Sequence, residues 1–345
     1  MTVSLEQLRR CHFAVDLGAA RTRVYMRGAG LVVDQPSVAA VNTRTGALIA
    51  VGEFAERMTG RTPHYIRVMR PVSGGTVIDI EMAQRMLRHL LGDKVRRQLR
   101  RKPFLRAAAC TPHDAGPLAQ RATIETLVGL GARRVELVDT LIAAAVGCGL
   151  PVDRPEATMI MVCGAAATQV AVLSLGSIVA AERIPVGGEA VDRAIVQLLR
   201  HEHELMLPSQ SVRPLQLALS GNGLSPHGPA STEIHGRDVA TGLARSVRVD
   251  TAAVRGAIET PLTAVIDGIG RVLRECPPDL VADLADRGIM MVGGSALLPG
   301  FDHMLRQATG MPVHIAERPD ICAAQGLGAM LEGRIAPLTL TPLAT

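Results

Sequence analysis

Tryptophan is absent, and aromatic residues make up 2% of the 345-residue chain. Leu, Val, Ile, Ala and Met must therefore fill any core. Lysine is nearly as scarce. Of the 37 basic residues, only Lys94 and Lys102 are lysines and the rest are arginines, a bias that fits a GC-rich genome. None of the six cysteines (Cys11, Cys110, Cys148, Cys163, Cys276, Cys322) has a CxxC partner, and most lie in apolar surroundings. This excludes a disulfide frame or zinc site and predicts buried thiols in a reducing compartment. The opening MTVSLEQLRRCHFAVDLG carries no signal-peptide core. A formal charge of +5 permits an anionic partner, but no recognition motif accompanies it, so nucleic acid is not a predicted partner. HEHE at 201–204 is not HExxH, and residues two apart diverge on a helix, so no metal is predicted there.

What is present is a globular mixture, 48% apolar and 20% charged, long enough for two domains. The run from Met159 to Ala181 approaches the length of a membrane span. Gly164, Gln169, Ser174, Gly176 and Ser177 interrupt it, and the small cluster at 164–168 divides it into two strand-length pieces. A β-hairpin with a small, uncharged turn fits better.

A similar hairpin stands near the start, in HFAVDLGAARTRVYMRG, where Arg23 and Tyr25 read as the polar alternates of Val24 and Met26. Strands follow in GLVVDQPSVAAVN and ALIAVGEFA, and a helix over 79–91. Next come a strand in FLRAAACTP, a helix in PLAQRATIETLVGLGA, a strand in RRVELVD and a short helix in TLIAAAVGCG. After the second hairpin come a helix entered through Gly187-Gly188, loops over 207–237, and two strands around a turn in STEIHGRDVATGLARSVRVD. Long amphipathic spacing runs from Asp250 to Cys276. PPDLVADLADRG is a further helix, IMMVGGSALLPGFDHMLRQA reads strand, Gly turn, helix, and the tail from Pro337 lacks periodicity. Two similar halves around a cleft follow, with ligands expected at the loop ends between them.

The order and spacing of GLVVDQPSVAAV, RTPHYIRVMRPVSGGTVIDIEMAQRMLRHLL, AAAVGCGLPV and GIMMVGGSALLPGFDHMLRQATGMPVHIAERP resemble the bacterial actins of the MreB family over roughly 10–335. The divergence and arginine bias suggest an MreB-like paralogue of the actinobacterial Mbl type. The resemblance implies an α/β, duplicated actin-like fold (the actin, Hsp70 and sugar-kinase class) with two domains and a nucleotide cleft. The expected boundaries are 1–138 with a return at 320–336, 139–319 with a small subdomain near 185–245, and a tail at 337–345.

It also implies ATP chemistry: turn amides on the phosphates, acids holding Mg²⁺ through water, and a carboxylate positioning the attacking water. The first phosphate turn is Asp16-Leu17-Gly18-Ala19-Ala20-Arg21-Thr22. It keeps the acid that would serve Mg²⁺, loses a hydroxyl at Ala19, and gains at Arg21 a cation able to pair with phosphate. The second turn is Val162-Cys163-Gly164-Ala165-Ala166-Ala167-Thr168-Gln169. Val162 replaces the metal-side Asp, Gln169 replaces a Glu, and two alanines replace glycines, which would strain any position needing φ > 0. Thr140 stands at the catalytic Glu position, with Asp139 one place off. The nucleoside helix keeps only Arg213, in VRPLQLAL. Gly293-Gly294-Ser295-Ala296 is largely intact.

The resemblance therefore implies an MreB-like filament or scaffold protein in cell shape and wall synthesis, with binding of ATP and Mg²⁺ weakened or lost and ATPase activity weak or absent. Implied partners are the chain itself, another MreB paralogue, and the wall-synthesis machinery. Its implied place is the cytoplasm, at the inner membrane face. The basic segment LLGDKVRRQLRRKPFLR, with Arg96, Arg97, Arg100, Arg101, Lys102 and Arg106 beside Leu99, Phe104 and Leu105, reads either as a membrane contact or as a solvated helix face. A non-polymerising regulator of another MreB, and a superfamily ATPase or kinase, are the alternative functions.

Overall fold

A computed structural model describes residues 5–100, 102, 104–207, 212 and 231–335. Arg101, Arg213 and the tail from Pro337 lie outside the described residues, as does most of the stretch read as the nucleoside helix.

Two five-stranded sheets organise the chain. The first sets Phe13–Leu17 antiparallel to Arg21–Met26, which pairs with Gly30–Pro36. On its other edge Phe13–Leu17 runs parallel to Arg106–Thr111, and that strand parallel to Arg134–Asp139. The second repeats this plan. Thr158–Cys163 pairs antiparallel with Thr168–Ser174 and that with Ser177–Ile184, while Thr158–Cys163 also runs parallel to Ile289–Val292, next to Val313–Ile315. The apolar run at 159–181 is thus sheet, and among the described residues no helix is long and apolar enough to cross a membrane.

The alternation along each strand divides two faces. In the first sheet Phe13, Val15, Val24 and Met26 join the core beneath the helix Ile80–Arg100. Ala14 faces the other way, against Leu327 and Met330 of the helix Cys322–Glu332. In the second sheet Met159 and Met161 enter the larger core with Val265, Ile269 and Val272 of Thr251–Glu275. Ile160 and Ala171 pack instead on Leu141, Ala144 and Ala145 of the helix Thr140–Gly147.

Thr140–Gly147 and Cys322–Glu332 thus form a middle layer between the sheets. Their small residues permit an unusually close crossing: a Cβ on Gly147 would run into the carbonyl of Cys322, and one on Gly326 into that of Ala143.

Several boundaries differ from the sequence reading. The helix expected over 79–91 continues to Arg100 through a break at Gly92, φ 62°. Strand Leu48–Val51 stops early, and Glu53–Arg57 is helical. Ser231–Asp238 and Ala244–Asp250 are the two paired strands read around a turn there, and the first of them takes the end of the stretch read as loop over 207–237. Arg23 is buried, because the C-terminal helix covers what looked like a solvent face. Leu99 and Leu105 are buried too, leaving Phe104 exposed beneath the Arg133 guanidinium. Five cysteines are buried, with Cys148 half-buried, and all six are free thiols. No group of three or more potential metal ligands occurs among the described residues, and HEHE forms none.

Candidate functional site

The two turns are geometric copies. Gly18 N–H donates to Arg21 O over 3.0 Å, and Gly164 N–H donates to Ala167 O over 3.0 Å. A Cβ on Gly18 would lie 2.8 Å from Arg21 O, and one on Gly164 2.8 Å from Ala167 O. Close approach, not handedness, therefore demands glycine here. Positive φ occurs at none of Ala165, Ala166 and Ala167, so the expected strain is absent. Among the described residues, no backbone carbonyl takes the amides of Ala19, Ala20, Ala165 or Ala166. Such adjacent free N–H groups form a concave anion cradle.

The threonine closing each turn braces it from beneath. Thr22 Oγ1 lies 2.8 Å from Ser37 Oγ, which donates to Gly18 O over 2.6 Å. Thr168 Oγ1 donates to Val186 O over 2.7 Å. Both threonines are buried with their hydroxyls engaged, so neither side chain is free to contact a ligand.

The second turn meets the other expected loop. Ser295 Oγ donates to Gly164 O over 2.9 Å, and Gly188 N–H to the same carbonyl over 3.1 Å. A Cβ on Gly293 would strike Cys163 O, and one on Gly187 would lie 2.5 Å from Gly164 O. Gly293 and Ser295 thus sit against Cys163 and Gly164, with Gly294 open between them and Ala296 buried in the same core as Cys163.

Arg21 is committed elsewhere, which corrects its reading as a phosphate partner. Its Nε donates to Asp34 Oδ1 over 2.6 Å and its Nη2 to Asp34 O over 2.9 Å. The cation that does reach the first turn is Arg70, whose Nη1 donates to Ala19 O over 3.1 Å. Sequence spacing gave no sign of it, because Arg70 arrives from a strand end some fifty residues away.

Asp16 stands opposite Arg23 in the hairpin register. Burial pushes the Asp16 carboxyl up, Arg23 pulls it down, and Asp34 pushes it up again. Arg23 Nη1 approaches Asp16 Oδ2 to 4.0 Å, while the second turn offers only the apolar Val162. Magnesium is ordinarily held by one or two carboxylates plus phosphates, with several waters retained. One acid already facing a guanidinium does not fit that need.

Thr140 Oγ1 donates to Thr111 O over 2.9 Å, which ties down the hydroxyl at the expected catalytic position. Asp139 caps the same helix, accepting from Leu141 N–H over 2.8 Å, and its other oxygen meets His113 Nδ1 at 2.6 Å. His113 N–H donates to Gln169 Oε1 over 3.0 Å, tying this loop to the second turn. Arg183 makes a further tie, to Gly74 O over 2.9 Å and Asp114 over 3.6 Å. Burial, with Asp16 and Asp139 nearby, drives the Cys110 thiol well above its ordinary range, so it stays protonated.

The family profile described as MreB/Mbl protein matches residues 10–337. The cell shape-determining protein MreB of Escherichia coli K12 is 34% identical over 323 residues, covering 92% of each chain. Mbl of Bacillus subtilis 168 is 32% identical over 318 residues, covering 92% of this chain and 95% of its own. Among solved structures, MreB5 of Spiroplasma citri bound to ADP superposes with a TM-score of 0.84 at 27% identity, over 91% of this chain and 94% of that one. The two sheets therefore form an actin-like, two-domain α/β fold with a nucleotide cleft, and the chain belongs to the MreB/Mbl family.

Proposed function

We propose that this chain is a cytoskeletal protein of cell shape and wall synthesis. It forms or joins filaments at the inner membrane face, and its cleft takes a nucleotide that it hydrolyses slowly or not at all. The observation that carries this reading is a preserved backbone with replaced side chains. Both turns keep free amides in the same geometry, while Thr140 and Val162 stand where the family resemblance expects acids.

The amides of Ala19, Ala20, Ala165 and Ala166 would hold the phosphates, with Gly293 to Ala296 beside the second turn. ATP is the favoured nucleotide, since MreB5 of Spiroplasma citri was solved with AMPPNP and with ADP. A threonine hydroxyl is no base near neutral pH, and general-base help is typically worth about 10²–10⁴ in rate. Thr140 has also spent its proton on Thr111 O. The expected partners are further copies of the chain, another MreB paralogue and the wall-synthesis machinery. Exposed Arg97, Lys102 and Phe104 supply a membrane-facing patch, each cation worth about 1 kcal/mol near an anionic leaflet. The arginine bias and divergence are the grounds for placing the chain among actinobacterial Mbl types.

Electron microscopy of the purified protein with and without ATP, alongside steady-state phosphate release, tests this. Filaments with little release are expected. Filaments with sustained release would overturn the slow-hydrolysis part. No filaments, alone or with a second MreB, would overturn the cytoskeletal part.

A further inference from the structure

Arg23 is the least expected residue of the site. Its side chain is 8% exposed, yet it carries a charge that no protein environment removes. A buried guanidinium is tolerated only with acids around it. Three are present: Asp320 Oδ2 lies 3.2 Å from Nη2, Asp34 Oδ1 3.3 Å from Nε, and Asp16 Oδ2 4.0 Å from Nη1. Nε is nonetheless buried without a well-formed hydrogen bond.

Asp34 and Asp320 alone would make this a structural ion cluster. Asp16 takes it further. Asp16 is the acid that opens the first phosphate turn, and Arg23 is its direct cross-strand partner, on the same face of the sheet. A dication approaching Asp16 would meet a fixed positive charge already within ion-pair range. The opposite turn offers Val162 in place of a second acid. The arrangement disfavours a divalent ion and supplies in its stead a cation that belongs to the chain.

We propose that Arg23 provides the positive charge at the Asp16 corner of the cleft, so that nucleoside triphosphate binds there without a divalent cation. This rests on the reading of the cleft as a nucleotide site. The Arg23 guanidinium offsets the charge of Asp16 that would otherwise repel the phosphates, and the turn amides make the direct contacts. No bond is made or broken.

The test is the affinity of the full-length chain for a fluorescent ATP, measured with excess EDTA and with excess Mg²⁺. The expected wild-type difference is less than about twofold. Val162→Asp, which restores the second acid and leaves Arg23 in place, should bind at least about tenfold more tightly with Mg²⁺ than with EDTA. Arg23→Leu should show the same Mg²⁺ dependence, with a circular-dichroism melt to establish folding. Arg23→Lys should stay closer to wild type. A wild-type requirement for Mg²⁺ of about tenfold or more would overturn the proposal. So would Val162→Asp and a folded Arg23→Leu that both ignore Mg²⁺. Absence of binding under both conditions would overturn it as well. Filaments formed by that same preparation would then leave the cytoskeletal reading standing, and their absence would remove both.

Discussion

His113 Nδ1 and Asp139 Oδ2 lie 2.6 Å apart and bind a loop of the first domain to the start of the helix that leads into the second. The other Asp139 oxygen caps that helix at Leu141 N–H. One carboxylate therefore fixes both the loop carrying the contact to Gln169 and the segment carrying Thr140. Losing a cap of this kind costs about 0.5–2 kcal/mol. Asp139→Ala should therefore destabilise by about 1 kcal/mol or more, and Asp139→Asn, which keeps a cap acceptor, by less. Chemical denaturation of the two variants checks this. Equal losses would mean the cap contributes little.

Thr140→Glu returns a carboxylate to the place where the family resemblance puts it. Phosphate release should rise by about tenfold or more, below the full general-base range because the neighbouring acids are still missing. Thr140→Ala should leave release at the wild-type level. A rate unchanged by Glu would show that another missing group limits the reaction.

The contact between Thr140–Gly147 and Cys322–Glu332 has no room for a methyl group. Gly147→Ala and Gly326→Ala should each destabilise by at least about 1–3 kcal/mol, the usual cost of overpacking. Gly256 supplies the contrast: it lies within Thr251–Glu275, and a Cβ there would meet nothing within 4 Å. Gly256→Ala should stabilise by about 0.5–1 kcal/mol through helix propensity. Thermal melts of the three variants would reveal opposite signs.

Asp238 gives a pH signature remote from the cleft. Its carboxylate accepts from Thr241 N–H at 2.7 Å, Ala240 N–H at 3.0 Å and Arg245 Nη1 at 2.8 Å. Chiefly through the Thr241 amide, these bonds hold it down to about 2 from an ordinary 3.8. A depressed acid contributes stability above its unfolded pKa and loses it as pH falls through the folded value. Melting temperature should therefore drop between about pH 4 and pH 2 more steeply for wild type than for Asp238→Asn. Parallel curves would remove Asp238 from the account.

Both hairpins, their small-residue turns and the two-halved plan were legible in the sequence, because strand alternation and glycine-rich turns are local signals. Arg23 was not. A period of two tells which residues share a face, but not that a helix some three hundred positions later covers it. Arg21 was misjudged for a related reason. Its distance from Asp34 depends on strand register, and the sequence does not print register. Arg70 and His113 reach the site from a strand end and a loop, without any periodic signature. Thr22 and Thr168 lie at the strand starts that close the two turns, but which way a hydroxyl points is decided by what lies beneath it.

Where Gly147 meets the Cys322 carbonyl and Gly326 meets that of Ala143, backbone bears directly on backbone. No rotamer intervenes, so no side chain can act there as a spring. The angle between the two sheets is thus held as if on a hard bearing. An opening of the cleft that kept this crossing intact would have to stretch the ties at its rim, Arg183 to Gly74 and Asp114, and His113 to Gln169. The stiffness of the opening motion is then a property of those rim contacts, and it can be changed without disturbing the pivot.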